Sequence, residues 1–149
     1  MHLTDTVALI TGAKRIGLVV AEALAERGAS VAFSYARSKD EADEGVRRVT
    51  ARGRRGVAIQ TDLSDPSACQ TLVHRTVAEL GRLDILINMA SVYQQRPFGE
   101  LTVDDWDRSV NVDLRAAFLC AHAAAPHMRE RGGGRIINFS DWLSKSGRP

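Results

Sequence analysis

Apolar residues along the chain follow two alternating rhythms. Short apolar runs at residues 7–11, 31–35, 57–61, 83–88 and 136–139 have the length of buried strands. Between the first two, Ile16, Val19, Val20, Ala23 and Leu24 recur at helical spacing, and Gly28 falls where a C-cap glycine belongs. Ser38 with Glu41 three residues on reads as a capping box that opens a polar helix to about Arg52. Ser64-Asp65-Pro66 starts a further helix, with Pro66 suited to its first position, and the pattern continues to about Leu80. A long helix is predicted from about Thr102 to Arg131, stopped by Gly132-Gly133-Gly134. Its apolar residues, Trp106, Val110, Leu114 and Phe118 among them, spread beyond one face, so one face is expected to cover the sheet and the rest to meet a further helix and a second subunit.

Strands that alternate with long helices need right-handed crossovers and a parallel sheet covered on both faces. The expectation is an α/β fold, a Rossmann-like doubly wound sheet of strand order 3-2-1-4-5, in one domain spanning residues 1–149. Ligands of such sheets bind beyond the carboxyl ends of the strands, so chemistry is sought there. Composition is ordinary for a globular chain, with 44% hydrophobic and 26% charged residues. A net charge of +2 is too small to point to nucleic acid or an anionic membrane. No apolar run reaches the roughly 18 residues of a membrane helix, and the start of the chain has no signal-peptide pattern. Cys69 and Cys120 lack metal or redox-motif spacing, so reduced thiols in a cytoplasmic protein are expected.

The first strand leads into the first helix through Thr11-Gly12-Ala13-Lys14-Arg15-Ile16-Gly17. Glycines let backbone approach a pyrophosphate, and the helix N-terminus offers free N–H groups and a positive dipole. Position after the first strand of an alternating chain is what gives this turn its weight. The second strand ends at Tyr35-Ala36-Arg37-Ser38. An NAD site places an acid there for the ribose 2′-hydroxyl, roughly 20 residues past the first glycine. None is present between Ala32 and Ser38. Arg37 suits a 2′-phosphate instead, because a guanidinium grips phosphate with two parallel bonds. Ser38 adds a hydroxyl, and Lys14 or Arg15 a second charge. NADP(H) is therefore the expected cofactor. The alternative is that Arg37 is a surface residue opening a helix.

These elements together resemble the short-chain dehydrogenase/reductase family. The resemblance rests on Thr11-Gly12 and Gly17, Asp62-Leu63, Asn88-Met89-Ala90-Ser91, Asn111 and Arg135-Ile136-Ile137-Asn138, which fall in the family's order. It implies that Asp62 binds the adenine amino group and that Leu63 packs beside it. Ala90 and Ser91 would line the nicotinamide ribose, Met89 would belong to the same cofactor site, and Asn111 would hold a water in a proton relay. Within the family the chain is similar to pteridine reductases. Arg15 stands where most members have the middle glycine of the turn, Asp141 where most have the catalytic serine, and Tyr93 where pteridine reductases carry an aromatic that stacks on the pterin. A carboxyl group there would help protonate a ring nitrogen of bound substrate. Ordinary readings stand beside these, a turn aspartate for Asp141 and packing for Tyr93.

Three departures bear on the resemblance. The turn has two residues between Gly12 and Arg15 where that subgroup has three, Met89 replaces an asparagine, and only eight residues follow Asp141. The family's catalytic Tyr and Lys, four apart on a helix, are expected about a dozen residues after Asp141 and so beyond Pro149. Tyr35 and Lys39 match that spacing but straddle a strand end and a helix start, where they cannot share a helical face. His122 and His127 lie about 140° apart on a helix, which disfavours a metal site. The expected function is an NADPH-dependent reductase of pteridine-reductase type, acting on a C=N or C=O bond of a small molecule. The alternatives are a non-catalytic nucleotide-binding fragment and a general carbonyl or hydroxyl oxidoreductase of the same family. The resemblance also implies a homo-oligomer that pairs through the long helix.

Overall fold

The computed structural model describes residues 2–93 and 95–141. Five strands, β1 (Val7–Thr11), β2 (Ser30–Tyr35), β3 (Gly56–Gln60), β4 (Ile85–Asn88) and β5 (Arg135–Asn138), form one sheet in the order β3-β2-β1-β4-β5. Each neighbouring pair is parallel. The helices are α1 (Ile16–Glu26), α2 (Lys39–Thr50), α3 (Pro66–Leu80), α4 (Val103–Ser109) and α5 (Ala116–Glu130). The expected strand order is thus present. Among the described residues no helix is long and apolar enough to cross a membrane.

Alternation along β1 sends Leu9 to one face and Ala8 and Ile10 to the other. Leu9, with Leu86 and Ile59, packs under α3 and α5 through Leu72, Val73, Cys120 and Met128. Ile10, with Phe33 and Ile87, packs under α1 and α2 through Ala21, Ala25, Ala42 and Val49. Small residues dominate the α1 and α2 faces, so these helices lie close to the sheet. Both cysteines are free and buried, Cys69 on α3 and Cys120 on α5.

Two local expectations are corrected. Ser38 precedes α2, but its side chain makes no capping bond. Glu41 reaches instead to Lys14 at 3.7 Å, which removes the reciprocal half of the box. The capping box that does exist opens α4, where Thr102 and Asp105 bond each other's backbone N–H. Second, the long helix is not uniform: a π-helical turn, Val110–Arg115, joins α4 to α5. As expected of the face that covers the sheet, α5 buries one stripe, Ala116, Cys120, Ala124 and Met128, at four-residue spacing. Trp106, Leu114 and Phe118 are 70%, 66% and 64% exposed, so the apolar faces beyond that stripe are uncovered among the described residues.

Before β4 the chain is anchored by Asp84, which is 2% exposed. Its carboxylate accepts from the Val7 amide at 2.8 Å and from the Arg82 guanidinium at 2.8 and 2.6 Å. These bonds align the start of β4 with that of β1. Removing the carboxylate leaves a buried N–H and a half-buried guanidinium without it. Asp84→Ala is expected to cost about 2–3 kcal/mol in urea denaturation, and a loss below about 0.5 kcal/mol would contradict this anchoring.

Candidate functional site

The register places Ile59, Ser34, Thr11, Asn88 and Asn138 in one row across the carboxyl edge of the sheet. From β2 to β5 this row is polar, and it marks where the apolar strands give way to loops. β1 is flanked by β2, which leads toward β3, and by β4, which leads toward β5. The loops leaving β1 and β4 diverge there, the switch point where an open α/β sheet takes its ligand. An open cleft of about 1470 Å³ occupies this edge.

The glycine turn forms its floor. The Gly12 amide donates to the Ser34 carbonyl at 3.2 Å and its hydroxyl at 3.3 Å. Gly12 has φ of +91°, which favours glycine. A Cβ on Gly17 would come within 2.7 Å of the Gly12 carbonyl oxygen, so the turn closes only over glycine. Arg15 precedes α1 with φ of +46°, an uncommon conformation for a side-chain-bearing residue. No side chain caps α1 and its first turn holds no acid, whereas Asp65 and Thr102 cap α3 and α4. The N-terminus of α1 thus presents its dipole to the cleft without a competing carboxylate.

On the β2 and β3 side the cleft is lined by Arg37, Ser38, Asp62 and Leu63. Asp62 Oδ1 accepts from the Ser64 amide at 2.9 Å and its hydroxyl at 2.7 Å. The Ser64 hydroxyl, then its amide, then the Arg37 and Arg108 charges hold the Asp62 carboxyl below its ordinary value. Leu63 is buried.

On the β4 side the Thr11 hydroxyl accepts from the Met89 amide at 3.0 Å and the Ala90 amide at 3.2 Å. Met89, Ala90, Ser91, Tyr93 and Asn111 line the cleft, as do Lys14, Arg15 and Ile16. Tyr93 is 76% exposed. Two expected residues lie outside this lining. Gly17 is buried beneath the turn, where its role is to let the backbone close. Asp141 is exposed beyond β5, and the cleft wall there is Phe139. Tyr35 ends β2 and Lys39 opens α2, paired with Asp43, so the two do not share a helical face.

Three further residues went unnoticed in the sequence. Arg108 on α4 lines the cleft. Asp113 and Arg115, in the π-helical turn, bond the loops after β4 and β3. Nothing in their spacing separates them from solvated helix charges. Among the described residues no cluster of His, Cys, Asp or Glu could hold a metal ion. His74 and His127 meet edge-on at 5.7 Å as a packing contact between α3 and α5.

Residues 6–149 match the family model described as short chain dehydrogenase, and the chain belongs to this family. It is 42% identical over 137 residues to versicolorin reductase 1 of Aspergillus parasiticus, covering 91% of this chain and 52% of that protein. It is 34% identical over 150 residues to a 3-oxoacyl-[acyl-carrier-protein] reductase of Staphylococcus aureus, covering 100% and 61%. A short-chain dehydrogenase from Burkholderia cenocepacia, solved in complex with NADP, superposes with a TM-score of 0.92 at 36% identity, covering 100% of this chain and 60% of that one. The chain therefore spans 52–61% of the length of these relatives.

The Ser64 bonds to Asp62 predict a pH effect. A depressed carboxyl pKa contributes stability that is present above the unfolded value, about 3.9, and is lost as pH falls through the folded value. In Ser64→Ala the Asp62 titration should move up toward about 3.9, followed by carboxyl-carbon NMR. An unchanged midpoint would show that Ser64 is not the cause.

Proposed function

We propose that the chain forms the cofactor-binding part of an NADP(H)-dependent oxidoreductase that acts on a C=O or C=N bond of a small molecule. The observation that carries this reading is Arg37, exposed in the cleft at the end of β2, where an NAD site would place an acid. The uncapped N-terminus of α1 and the glycine turn fit a pyrophosphate. Arg37 and Ser38 would take the 2′-phosphate. Lys14, half-engaged by Glu41 at 3.7 Å and largely exposed, can turn toward the same charge. Asp62 would accept from the adenine amino group, with Leu63 against the ring. Met89, Ala90 and Ser91 would border the nicotinamide ribose.

When bound, NADPH would supply a hydride to the substrate carbon. The chain's own part is to orient that exchange and to keep the adenosine end fixed. Asn111, half-buried in the cleft wall, would hold a water for proton movement. Tyr93 offers an exposed ring at the β4 side, which suits stacking on a flat heterocycle. A pterin is the substrate class we favour, on Tyr93 in the cleft lining, and Asp141, which follows β5 outside that lining, would have to turn toward the cleft to act on it. The names of the relatives, versicolorin reductase and 3-oxoacyl-[acyl-carrier-protein] reductase, favour a second reading. There the protein is a general carbonyl oxidoreductase and Asp141 is incidental. The exposed Trp106, Leu114 and Phe118 on the long helix fit a homo-oligomer contact, and the absence of a membrane-length helix among the described residues fits a cytoplasmic protein.

Calorimetric titration with both dinucleotides tests the cofactor. A charge-assisted hydrogen bond contributes about 1.5–3 kcal/mol, so Arg37→Ala should weaken NADPH binding roughly ten- to hundredfold and leave NADH binding nearly unchanged. Equal losses, or tighter binding of NADH by the unaltered chain, would overturn the assignment.

A further inference from the structure

We infer that Cys69 and Cys120 form an oxidisable dithiol, a modification site between α3 and α5 that a hydroperoxide converts to an intrachain disulfide beneath the loop after β3. The two stand 51 positions apart in the chain, and the fold sets them against each other. Both are fully buried and neither is in a disulfide. The Cys120 thiol donates to the Cys69 carbonyl at 4.0 Å and hydrogen-bonds the Cys69 thiol. The Cys69 thiol also donates to the Leu63 carbonyl at 3.7 Å and the Asp65 carbonyl at 3.6 Å. α3 and α5 run side by side in one register, with His74 against His127 further along. Ala116 and Ala124, one turn to either side of Cys120, are buried in the same contact. Small side chains there let the helix backbones come close, as the roughly 4.4–6.8 Å Cα separation of a disulfide requires.

The two thiols are unequal. The hydrogen bond from Cys120, and after it the Arg115 charge, hold the Cys69 thiol below its ordinary value against burial and Asp65. The same hydrogen bond, then burial, then the charge of Cys69 push the Cys120 thiol up. Cys69 is thus the nucleophile and Cys120 the resolving partner. The Cys69 thiolate attacks one peroxide oxygen, the O–O bond breaks, and a sulfenic acid forms as the other oxygen leaves with the proton that Cys69 gave up. The Cys120 sulfur then attacks the Cys69 sulfur: the S–S bond forms, the S–O bond breaks, and hydroxide leaves with the Cys120 proton as water. Each thiol loses one electron and the peroxide gains both. Entry is at the cleft end of α3, where Asp65, Pro66 and Ser67 are exposed and Cys69 lies one turn below them. Closure removes the S–H that bonds the Leu63 and Asp65 carbonyls, which flank Ser64. The loop that holds Asp62 therefore feels the oxidation state, whichever dinucleotide the cleft binds.

Mass spectrometry of the full chain tests the site. The folded chain is treated with millimolar hydrogen peroxide, then denatured and alkylated with iodoacetamide. The expected product is a single chain lighter by two hydrogens, with neither cysteine alkylated and the peptides holding Cys69 and Cys120 joined. Cys120→Ser should stop at a sulfenic acid on Cys69 that dimedone captures, whereas in Cys69→Ser the remaining thiol should stay reduced. The oxidised chain should need roughly 1–2 M more urea to unfold, because the bridge constrains a long loop of the unfolded state. Its Ser64 amide signal should shift in the NMR spectrum, as it should in Cys69→Ala. Should a variant not fold, the unaltered chain decides through the joined peptides and the Ser64 signal. Both thiols still alkylated after peroxide, a bridge only between chains, or Cys120 oxidised as readily in Cys69→Ser would overturn the proposal. A urea midpoint that falls on oxidation, or a Ser64 signal that ignores it, would overturn it too.

Discussion

The hydroxyl of Thr11 accepts from two successive amides, Met89 and Ala90, and so holds the end of β1 against the exit of β4. Everything that lines the cleft is placed relative to this contact. A parallel sheet leaves unpaired amides wherever its strands stop, and these need partners if buried. One threonine side chain satisfies two of them at the switch point. The chain leaving β4 is thereby drawn toward the glycine turn, and the cleft opens above the pair. A residue without a hydroxyl here would leave both amides unsatisfied at the centre of the site.

From this point the cleft extends in two directions with different chemistry. Toward β2 and β3 it is charged: Arg37, Asp62 and Arg108 face one another's fields. Toward β4 the loop residues themselves, Met89, Ala90, Ser91 and Tyr93, carry no charge, with the Asp113 carboxylate bonded to Ser91. A ligand with a charged end and a flat, less polar end fits that division. The α1 N-terminus lies between, uncapped, where a bridging anion would sit. Its two walls are joined only distantly in sequence, which is why a segment that contacts both carries structural weight.

Much of this was legible in the sequence, and the reasons differ by element. Five short apolar runs separated by helical patterns leave little choice but a parallel α/β sheet, and the strand order follows from how such crossovers wind. The glycine turn was legible because Gly12 and Gly17 meet steric demands that no other residue satisfies. Side-chain pairings across loops were not. Ser38 and Glu41 had the spacing of a capping box, yet Lys14, distant in sequence, drew Glu41 away. Thr102 and Asp105 formed the box instead, by the same local chemistry. Asp113 and Arg115 were invisible because charged residues on a helix give no sign of what they reach. Trp106, Leu114 and Phe118 showed by their spread that the helix has more than one apolar face, but not which face meets the sheet, and that is the small-residue stripe.

The carboxyl edge of this sheet is fitted to a 2′-phosphorylated dinucleotide with its phosphate at the end of β2. A crystal structure of the chain soaked with NADPH tests this most directly. The pyrophosphate is expected over the turn from Gly12 to Gly17 and the 2′-phosphate about 2.7–3.2 Å from the Arg37 guanidinium. Dinucleotide bound in the cleft with its 2′-phosphate away from Arg37, or bound nowhere in the cleft, would contradict it.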